Sequence, residues 1–440
     1  MTDAFNTEIE TLGPCTVRSP LRYHRYVSDS DRALYSQNLN NVMAQIKAGH
    51  PLISFELAGP REMIFFDPSN VKAAIVTCGG LCPGLNDVIR AIVHELTYMY
   101  GVKHIKGVQY GYAGLNPNMG FPLIDLTPNT VKYIHEDGGT ILGSSRGPQP
   151  IDVIVDTLYR EEIRMLFTIG GDGTLKGAHA IRNEIERRGL KIAVIGVPKT
   201  IDNDINLVSR TFGFETAVGS ALESLRCAHS EAEGAINGIG IVKLMGRNSG
   251  FVAAYAALAS GDANFVLVPE VPFEFDGPNG FLSHLEKRIS ERHHALVVVA
   301  EGAGQNLFSE PTGVDRSGNR KLADIGLLVK QRVGDYFTRL GLEHSVKYID
   351  PSYMIRSVPA TADDGVFCLF LGQQAAHAGM AGKTGLLVGL WNDVFTHIPI
   401  EAAIQHRKHI EPKGILWMSV LESTGQPERM VNESIPAAGA

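Results

Sequence analysis

Short apolar runs alternate with amphipathic stretches from about residue 70 onward. The runs KAAIVTC, RMLFTIG and KIAVIGV predict buried β-strands, whereas LNDVIRAIVHELTYMYG predicts a helix. That helix would carry its apolar residues on one face, namely Ile89, Ile92, Val93, Leu96 and Tyr100. The alternation continues through GIGIVKLMG, GFVAAYAALASG, NFVLVPE and ALVVVAEGAG. Such alternation predicts an α/β protein with parallel sheets that helices cover on both faces.

The first 70 residues follow a different pattern, because they are polar, irregular and poor in strand-like runs. We interpret residues 1–70 as an N-terminal extension to the α/β part. The length of 440 residues predicts two or three domains at roughly 150 residues each.

Composition and charge narrow the range of partners. The net charge of -7 argues against a global basic field for nucleic acid or an anionic membrane. No apolar run approaches the roughly 20 residues of a membrane span, and the N-terminus lacks the pattern of a signal peptide. We therefore expect a cytoplasmic protein.

The metal-binding residue types show no familiar spacing. Cys78 and Cys82 lie four apart, but no second pair completes a zinc site, which favours buried free thiols. The fifteen histidines show no HxxxH or other ligand spacing, so we expect no metal site built on them.

Glycine-rich segments follow the predicted strands. The first, CGGLCPGLND, places Gly79 and Gly84 as in a phosphate-binding loop, but Leu85 and Asn86 stand where such a loop needs Lys and Ser or Thr. The segment is compatible with a tight strand–helix turn or with an anion site at a helix N-terminus.

Acidic residues occupy two later strand ends. In IGGDGTLKGA, Gly170 and Gly171 allow close approach of a phosphate and Asp172 offers an oxygen ligand for Mg²⁺. In VIGVPKTIDNDI, Asp202 and Asp204 would point the same way if the chain left the strand extended. A simple turn is the alternative for this segment, since Asp and Asn favour turns.

Five motifs together resemble 6-phosphofructokinases: TCGGLCPGLN, LGSSRG, GGDGT, PKTIDND and MGRNSGF, in this order. Lipid and NAD kinases share a GGDGT-like segment but lack the last two motifs. The similarity runs from about residue 71 to about residue 410. The segments YVSDSDRALY and YIDPSYMIR resemble the long branch that includes plant and trypanosomatid enzymes.

The resemblance implies two Rossmann-like three-layer domains. The nucleotide-binding domain would comprise residues 71–210 and 360–400, and the sugar-phosphate domain residues 211–359. Residues 401–440 would form an assembly segment and tail, which implies a homotetramer, with a dimer as the alternative.

The implied activity is phosphorylation of fructose 6-phosphate at its 1-hydroxyl, with ATP as co-substrate and Mg²⁺ as cofactor. Two alternatives stay open: a pyrophosphate-dependent phosphofructokinase, and a non-catalytic regulatory subunit that binds sugar phosphate. A third, remote reading takes GSSRG as a hydrolase nucleophile elbow, but Pro148 and Pro150 follow at once, which disfavours the immediate helix that such an elbow needs.

The resemblance also assigns roles to residues. Catalytic roles fall on Asp202 as general base, Arg247, Arg146 and Thr200. ATP contacts are Gly79, Tyr112, Arg146, Gly147, Gly170, Gly171, Asp172, Gly173 and Thr174. Substrate contacts are Thr200, Ile201, Asp202, Asp204, Met245, Gly246, Arg247, Glu301, Lys347, Tyr353, Met354, Ile355 and Arg356. The magnesium ligands would be Asp172 and Asp204.

Two positions bear on the phosphoryl donor. Within the family, glycine at the position of Gly173 leaves space for the α-phosphate of ATP, while aspartate goes with pyrophosphate. Lysine at the position of Lys199 is found in pyrophosphate enzymes, but also in the plant and trypanosomatid enzymes that use ATP. We give more weight to Gly173, because a filled pocket would exclude a nucleotide whereas an extra lysine would not. We therefore predict ATP as the donor.

The chain departs from the short bacterial members at three positions. Those members have histidine at Tyr353, arginine at Lys347, and at Gly238 an arginine that reaches a neighbouring subunit. The cross-subunit phosphate contact is therefore lost or comes from another residue, and the effector site of the short enzymes does not transfer.

Overall fold

The computed structural model describes residues 6–22, 25–308, 313 and 321–432. The strands are β1 (Glu10–Thr11), β2 (Val17–Arg18), β3 (Arg32–Leu34), β4 (Ser54–Leu57), β5 (Met63–Ile64), β6 (Lys72–Thr77), β7 (His104–Val108), β8 (Ile124–Asp125), β9 (Met165–Gly170), β10 (Ala193–Pro198), β11 (Gly238–Leu244), β12 (Phe265–Leu267), β13 (His294–Ala300), β14 (Ser345–Ile349), β15 (Lys383–Thr384), β16 (Leu386–Trp391) and β17 (Val394–Pro399). The α-helices are α1 (Leu39–Lys47), α2 (Leu85–His94), α3 (Ile151–Arg160), α4 (Asp172–Arg187), α5 (Phe214–Glu233), α6 (Phe251–Ser260), α7 (Phe281–Arg292), α8 (Ile325–Arg339), α9 (Ala362–Met380), α10 (Ile400–Ala403) and α11 (Ile415–Thr424).

The described residues form two compact units. Unit 1 comprises those within Met1–Thr200, Ile205–Glu215 and Arg356–Lys408. Unit 2 comprises those within Ile201–Asp204, Thr216–Ile355 and His409–Ala440. The assignment of nucleotide and sugar-phosphate domains to ranges of the sequence stays a prediction.

Unit 1 is built on a nine-stranded sheet with the order β3-β4-β17-β16-β10-β9-β6-β7-β8. Its centre, from β16 to β7, is parallel. Every residue of β9 and β10 is buried. Continuous apolar strands of this kind are typical of parallel sheets that helices cover on both faces.

Helices lie on both faces of the unit 1 sheet. On one face, α3 and α4 pack against strand residues such as Leu166 and Val194. On the other face lies α9, where a Cβ atom built on Gly379 would lie 3.0 Å from the ring of Phe167. Burial of one large aliphatic or aromatic side chain contributes about 1.5–3 kcal/mol, so these two layers of core hold the sheet in place.

The N-terminal residues are more regular than their sequence suggests. Strands β3 and β4 pair antiparallel with each other, and β4 extends the unit 1 sheet through β17. Each paired stretch is only two or three residues long, too short for an alternating pattern to stand out in the sequence.

Unit 2 has a four-stranded, fully parallel sheet with the order β12-β13-β11-β14. Its main core lies between these strands and helices α7 and α8, with the largest fully buried side chains being Phe281 and Phe337. Among the described residues of the chain, none of the helices has the length and apolar character needed to cross a membrane.

Candidate active site

The strand order of unit 1 reverses at β6. From β6, the chain first moves to its neighbour β7 on one side and later to β9 and β10 on the other. Ligands of open parallel sheets bind at such a switch point, outside the carboxyl ends of the strands. The three segments that the sequence predicts to carry phosphate chemistry follow β6, β9 and β10, which are neighbours in the sheet.

Three cations converge on the glycine turn after β6. Lys199 Nζ donates a hydrogen bond of 2.6 Å to the carbonyl oxygen of Gly80. A Cβ atom built on Gly80 would lie 3.2 Å from Nη2 of Arg146 and 3.2 Å from Nη1 of Arg356. Because Gly80 has no side chain, both guanidinium groups can approach the turn closely. The turn leads directly into α2, whose N-terminal amides also favour anions.

The segment around Arg146 is fixed to the same turn. The amide of Gly79 donates to the carbonyl oxygen of Ser145 at 3.1 Å, and Ser144 Oγ donates to the carbonyl oxygen of Gly79 at 2.7 Å. No strand leads into Gly143–Gly147, and α3 begins only at Ile151. The nucleophile-elbow reading is therefore wrong, because an elbow needs a strand, a sharp turn and an immediate helix.

Asp172 begins α4 and carries two cationic partners. Its Oδ2 accepts a hydrogen bond of 3.0 Å from Lys176 Nζ and one of 3.1 Å from Arg407 Nη2. Lys176 lies one helical turn away on α4, whereas Arg407 comes from a distant part of the chain. Arg407 was not predicted from the sequence, since no motif marks it and only the fold brings it to Asp172.

Open space surrounds Gly173. A Cβ atom built on this residue would meet no atom within 4 Å, and the residue is exposed. In contrast, a Cβ atom on Gly170 would lie 2.1 Å from Oγ1 of Thr174. Tyr112, a predicted ATP contact, donates from its hydroxyl to the carbonyl oxygen of Thr174 at 2.8 Å. Burial raises the pKa of the Tyr112 hydroxyl well above its usual value, so this group stays a donor.

The segment after β10 is not extended. The strand ends at Pro198, a turn includes Ile201 and Asp202, and Asn203 adopts a left-handed backbone with φ of 52°. The segment therefore follows the turn that Asp and Asn favour, and not the extended path. Asn tolerates this conformation because its short side chain can bond to nearby backbone.

Unit 2 holds the aspartates of this segment and the loop after β11. Ser249 Oγ donates to the carbonyl oxygen of Asp202 at 3.0 Å, and Asp204 is buried. Glu301 Oε1 accepts hydrogen bonds from the amides of Arg247 at 2.8 Å and Gly246 at 3.4 Å. These contacts are local, because Met245–Arg247 follow β11 and Glu301 follows β13, its neighbour in the sheet.

Glycines allow this loop to fold back closely. Gly246 has φ of 147°, and a Cβ atom there would lie 2.4 Å from the carbonyl oxygen of Ser249. A Cβ atom on Gly302 would lie 1.7 Å from the carbonyl oxygen of Arg247. A side chain at Gly246 would force the Ser249 backbone to move, and one at Gly302 would force the Arg247 backbone to move.

The remaining predicted contacts differ in how accessible their side chains are. Tyr353 and Met354 are exposed by 72% and 71%, so both side chains are open to a ligand. Ile201 and Ile355 are buried, so any contact they make with a ligand would come from backbone atoms. Lys347 Nζ lies 3.7 Å from Oε2 of Glu231 on the surface of unit 2.

Cys78 and Cys82 are buried free thiols, as the sequence predicts. Burial raises the pKa of the Cys78 thiol to about 12, so it stays protonated and inert.

Comparisons with known proteins show which family the chain resembles. The sequence model of the phosphofructokinase family matches residues 72–379. An ATP-dependent 6-phosphofructokinase of Borreliella burgdorferi is 50% identical, with 97% of this chain and 98% of the relative aligned. The chloroplastic ATP-dependent 6-phosphofructokinase 5 of Arabidopsis thaliana is 46% identical over 92% of this chain and 76% of the relative.

A crystal structure of a pyrophosphate-dependent phosphofructokinase from Marinobacter aquaeolei is also similar in fold. It has a TM-score of 0.66 and 20% identity, and the match covers 84% of this chain and 94% of that one. At this identity the likeness concerns the fold alone.

Proposed function

The chain belongs to the phosphofructokinase family, and we propose that it transfers the γ-phosphoryl group of ATP to the 1-hydroxyl of fructose 6-phosphate, as in glycolysis. The observation that carries the proposal is the convergence of Lys199, Arg146 and Arg356 on the glycine turn after β6. Three cations and a helix N-terminus at one sheet edge suit a substrate that carries several phosphate charges.

We assign the proton transfer to Asp202. An aspartate carboxylate has an ordinary pKa of about 3.9, so it is ionised at neutral pH and can accept the proton of the sugar 1-hydroxyl. Its backbone is held by Ser249 Oγ, which supports a fixed position for the carboxylate. Because a carboxylate is a weak base, most of the rate enhancement must come from positioning and from charge stabilisation.

We assign that charge stabilisation to Arg146 and Arg247, and the positioning of the sugar phosphate to Arg356. A guanidinium group binds phosphate through two parallel hydrogen bonds, which fixes its orientation. Thr200, Met245, Gly246 and Glu301 complete the proposed sugar-phosphate contacts.

Mg²⁺ is the proposed cofactor, and Asp172 in unit 1 offers the carboxylate oxygens that this ion prefers. Bound Mg²⁺ supplies positive charge to the phosphate oxygens. On the protein side, Lys176 and Arg407 hold Asp172 at the first turn of α4.

The choice of ATP over pyrophosphate is supported by the space around Gly173. A nucleotide needs room for its α-phosphate, and a Cβ atom built on Gly173 would meet no atom of the described residues within 4 Å. Pyrophosphate is the second candidate donor, because Lys199 offers a compact positive charge for a pyrophosphate leaving group. The contact of Lys199 with Gly80 is compatible with either donor.

We also propose a homotetramer, with a dimer as the alternative, and a cytoplasmic location. Light scattering of the purified chain gives the oligomeric state directly.

An activity assay of the purified chain tests the proposed function. Fructose 6-phosphate and Mg²⁺ are supplied with either ATP or pyrophosphate at equal concentration, and fructose 1,6-bisphosphate is measured. We expect faster turnover with ATP. Faster turnover with pyrophosphate would reverse the donor assignment, and no turnover with either donor would favour the non-catalytic regulatory subunit.

A further inference from the structure

Two histidines and a glutamate meet on unit 2. His229 Nε2 lies 3.5 Å from Glu233 Oε1, and His294 Nε2 lies 4.0 Å from the same oxygen. The potential ligand atoms of all three side chains lie within 4.8 Å of one another. The two imidazole rings meet edge to face, with their centroids 5.5 Å apart.

The fold explains why these three residues meet. His229 and Glu233 are four residues apart on α5, so they lie on the same helix face. His294 is the first residue of β13, and it pairs in register with Gly238, the first residue of β11. Since only residues 234–237 separate α5 from β11, the end of α5 lies close to the start of β13.

A hydrogen bond to the backbone orients the ring of His294. Its Nδ1 is 3.0 Å from the carbonyl oxygen of Arg292. A carbonyl oxygen can only accept, so the proton is on Nδ1 and the lone pair of the neutral ring is on Nε2, which faces Glu233. Histidines that bind metals usually have such a hydrogen bond on the other ring nitrogen, which fixes the tautomer and the ring orientation.

We propose that His229, Glu233 and His294 bind a Zn²⁺ ion. Two imidazole nitrogens and one carboxylate oxygen are a common zinc donor set, whereas Mg²⁺ prefers oxygen ligands alone. In tetrahedral zinc sites with bonds of about 2.0–2.1 Å, the ligand atoms lie about 3.3 Å from one another. The distances from Glu233 Oε1 to the two histidine nitrogens are 3.5 Å and 4.0 Å, so small side-chain movements would bring these atoms into that geometry.

The accessibility of the cluster suits an ion that enters from solvent. The Glu233 side chain is 55% exposed, and those of His229 and His294 are about one-fifth exposed. Solvent water can therefore supply the fourth ligand, and Glu233 can adjust to the ion. The bound ion connects the end of α5 with the start of β13, so it stabilises the folded form of unit 2.

Zinc titration of the tag-free chain without nucleotide tests this site. The parent chain for this test carries Cys227→Ser, and so do all variants, because Cys227 is an exposed thiol that could bind zinc by itself. We expect one equivalent of Zn²⁺ to bind, and His229→Gln, His294→Gln and Glu233→Gln each to weaken binding at least tenfold. The thermal midpoint should rise with Zn²⁺ in the parent chain and rise less in these variants.

His344→Gln is the matched control. Nδ1 of His344 makes the same type of hydrogen bond to the carbonyl oxygen two residues earlier, at 2.9 Å, but His344 is outside the cluster. Circular dichroism confirms that each variant is folded, and Glu233→Gln changes an exposed side chain. The proposal is overturned if the parent chain binds no zinc at micromolar concentration, or if the cluster variants bind it as tightly as the control.

Discussion

The carboxylate of Glu301 accepts a hydrogen bond from the backbone amide of Arg247, with a nitrogen–oxygen distance of 2.8 Å. Arg247 has φ of 45°, a left-handed conformation that costs on the order of 1–3 kcal/mol for a residue other than glycine. Glu301 thus helps to hold a strained backbone from which the Arg247 side chain projects.

We expect Glu301→Ala to lower kcat/KM by about 10- to 100-fold, because a hydrogen bond to a charged group contributes about 1.5–3 kcal/mol. Glu301→Gln should retain more activity, since its amide oxygen can still accept from the Arg247 amide. Steady-state kinetics of both variants separate the positioning role from a direct role of the charge. Equal loss in both variants would mean that the negative charge itself acts on the substrate.

Asp202→Asn preserves the shape of the side chain but removes the proton acceptor. We expect kcat to fall by about 10² or more, while fructose 6-phosphate binding is largely retained. Turnover and equilibrium binding should both be measured, with Asp262→Asn in unit 2 as a control that keeps normal activity. Near-normal turnover of the Asp202 variant would remove Asp202 from the role of base.

Arg356→Ala should weaken fructose 6-phosphate binding by about 1.5–3 kcal/mol, the range of a charge-assisted hydrogen bond. Nucleotide binding should change little. Calorimetric titrations with each ligand provide the measurement. Since Arg356 and Arg146 both lie close to Gly80, the parallel variant Arg146→Ala is the informative comparison. A larger effect of Arg356→Ala on ATP than on the sugar phosphate would place this arginine on the donor side.

Gly173→Asp should impair ATP use by at least tenfold, because it places a negative charge against the α-phosphate. Because a Cβ atom at Gly173 would meet no atom within 4 Å, we expect the variant to fold. Gly334→Asp is the matched control, since Gly334 is also a helical glycine with no atom within 4 Å of a built Cβ. Kinetics with ATP and pyrophosphate are compared for all three proteins. Unchanged ATP kinetics in the Gly173 variant would contradict its role as donor marker.

Lys243 in unit 2 should make stability depend on pH. Its Nζ lies 2.8 Å from Asp350 Oδ2 and 3.1 Å from Asp324 Oδ2. Burial raises the pKa of Asp350, but hydrogen bonds from Lys243 and Ser352 outweigh burial, and the net pKa is lowered. A lowered pKa stabilises the fold above the ordinary value of about 3.9, and this contribution is lost as the pH falls through the folded-state pKa.

We therefore expect Lys243→Met to lower the thermal midpoint at pH 7, since it leaves Asp350 without its cationic partner. The difference from the parent chain should shrink below about pH 4, where Asp350 becomes protonated in the variant. Melting curves across this pH range provide the test. A constant difference down to pH 3 would show that Asp350 is not the group involved.

The sequence by itself determined the fold class and the family, and it predicted which residues follow the strand ends. Strands such as KIAVIGV are apolar along their whole length because both faces of a parallel sheet are covered, so local pattern and tertiary burial agree. The predicted phosphate-binding segments follow β6, β9 and β10, and parallel pairing places the carboxyl ends of these strands at one edge of the sheet. The family model and the relatives confirm the resemblance to 6-phosphofructokinases. The motifs that carry this resemblance are local in the sequence, so the sequence alone could reveal it.

Only the tertiary structure decided which distant residues meet. Arg407 pairs with Asp172 across 235 positions of the chain, and His294 meets Glu233 because β13 lies beside β11. No local spacing records such contacts, so the sequence does not bring Arg407 to Asp172 or His294 to Glu233. The left-handed conformation of Asn203 was missed as well, because an Asp-Asn-Asp run permits either a turn or an extended chain, and the surrounding fold selects between them.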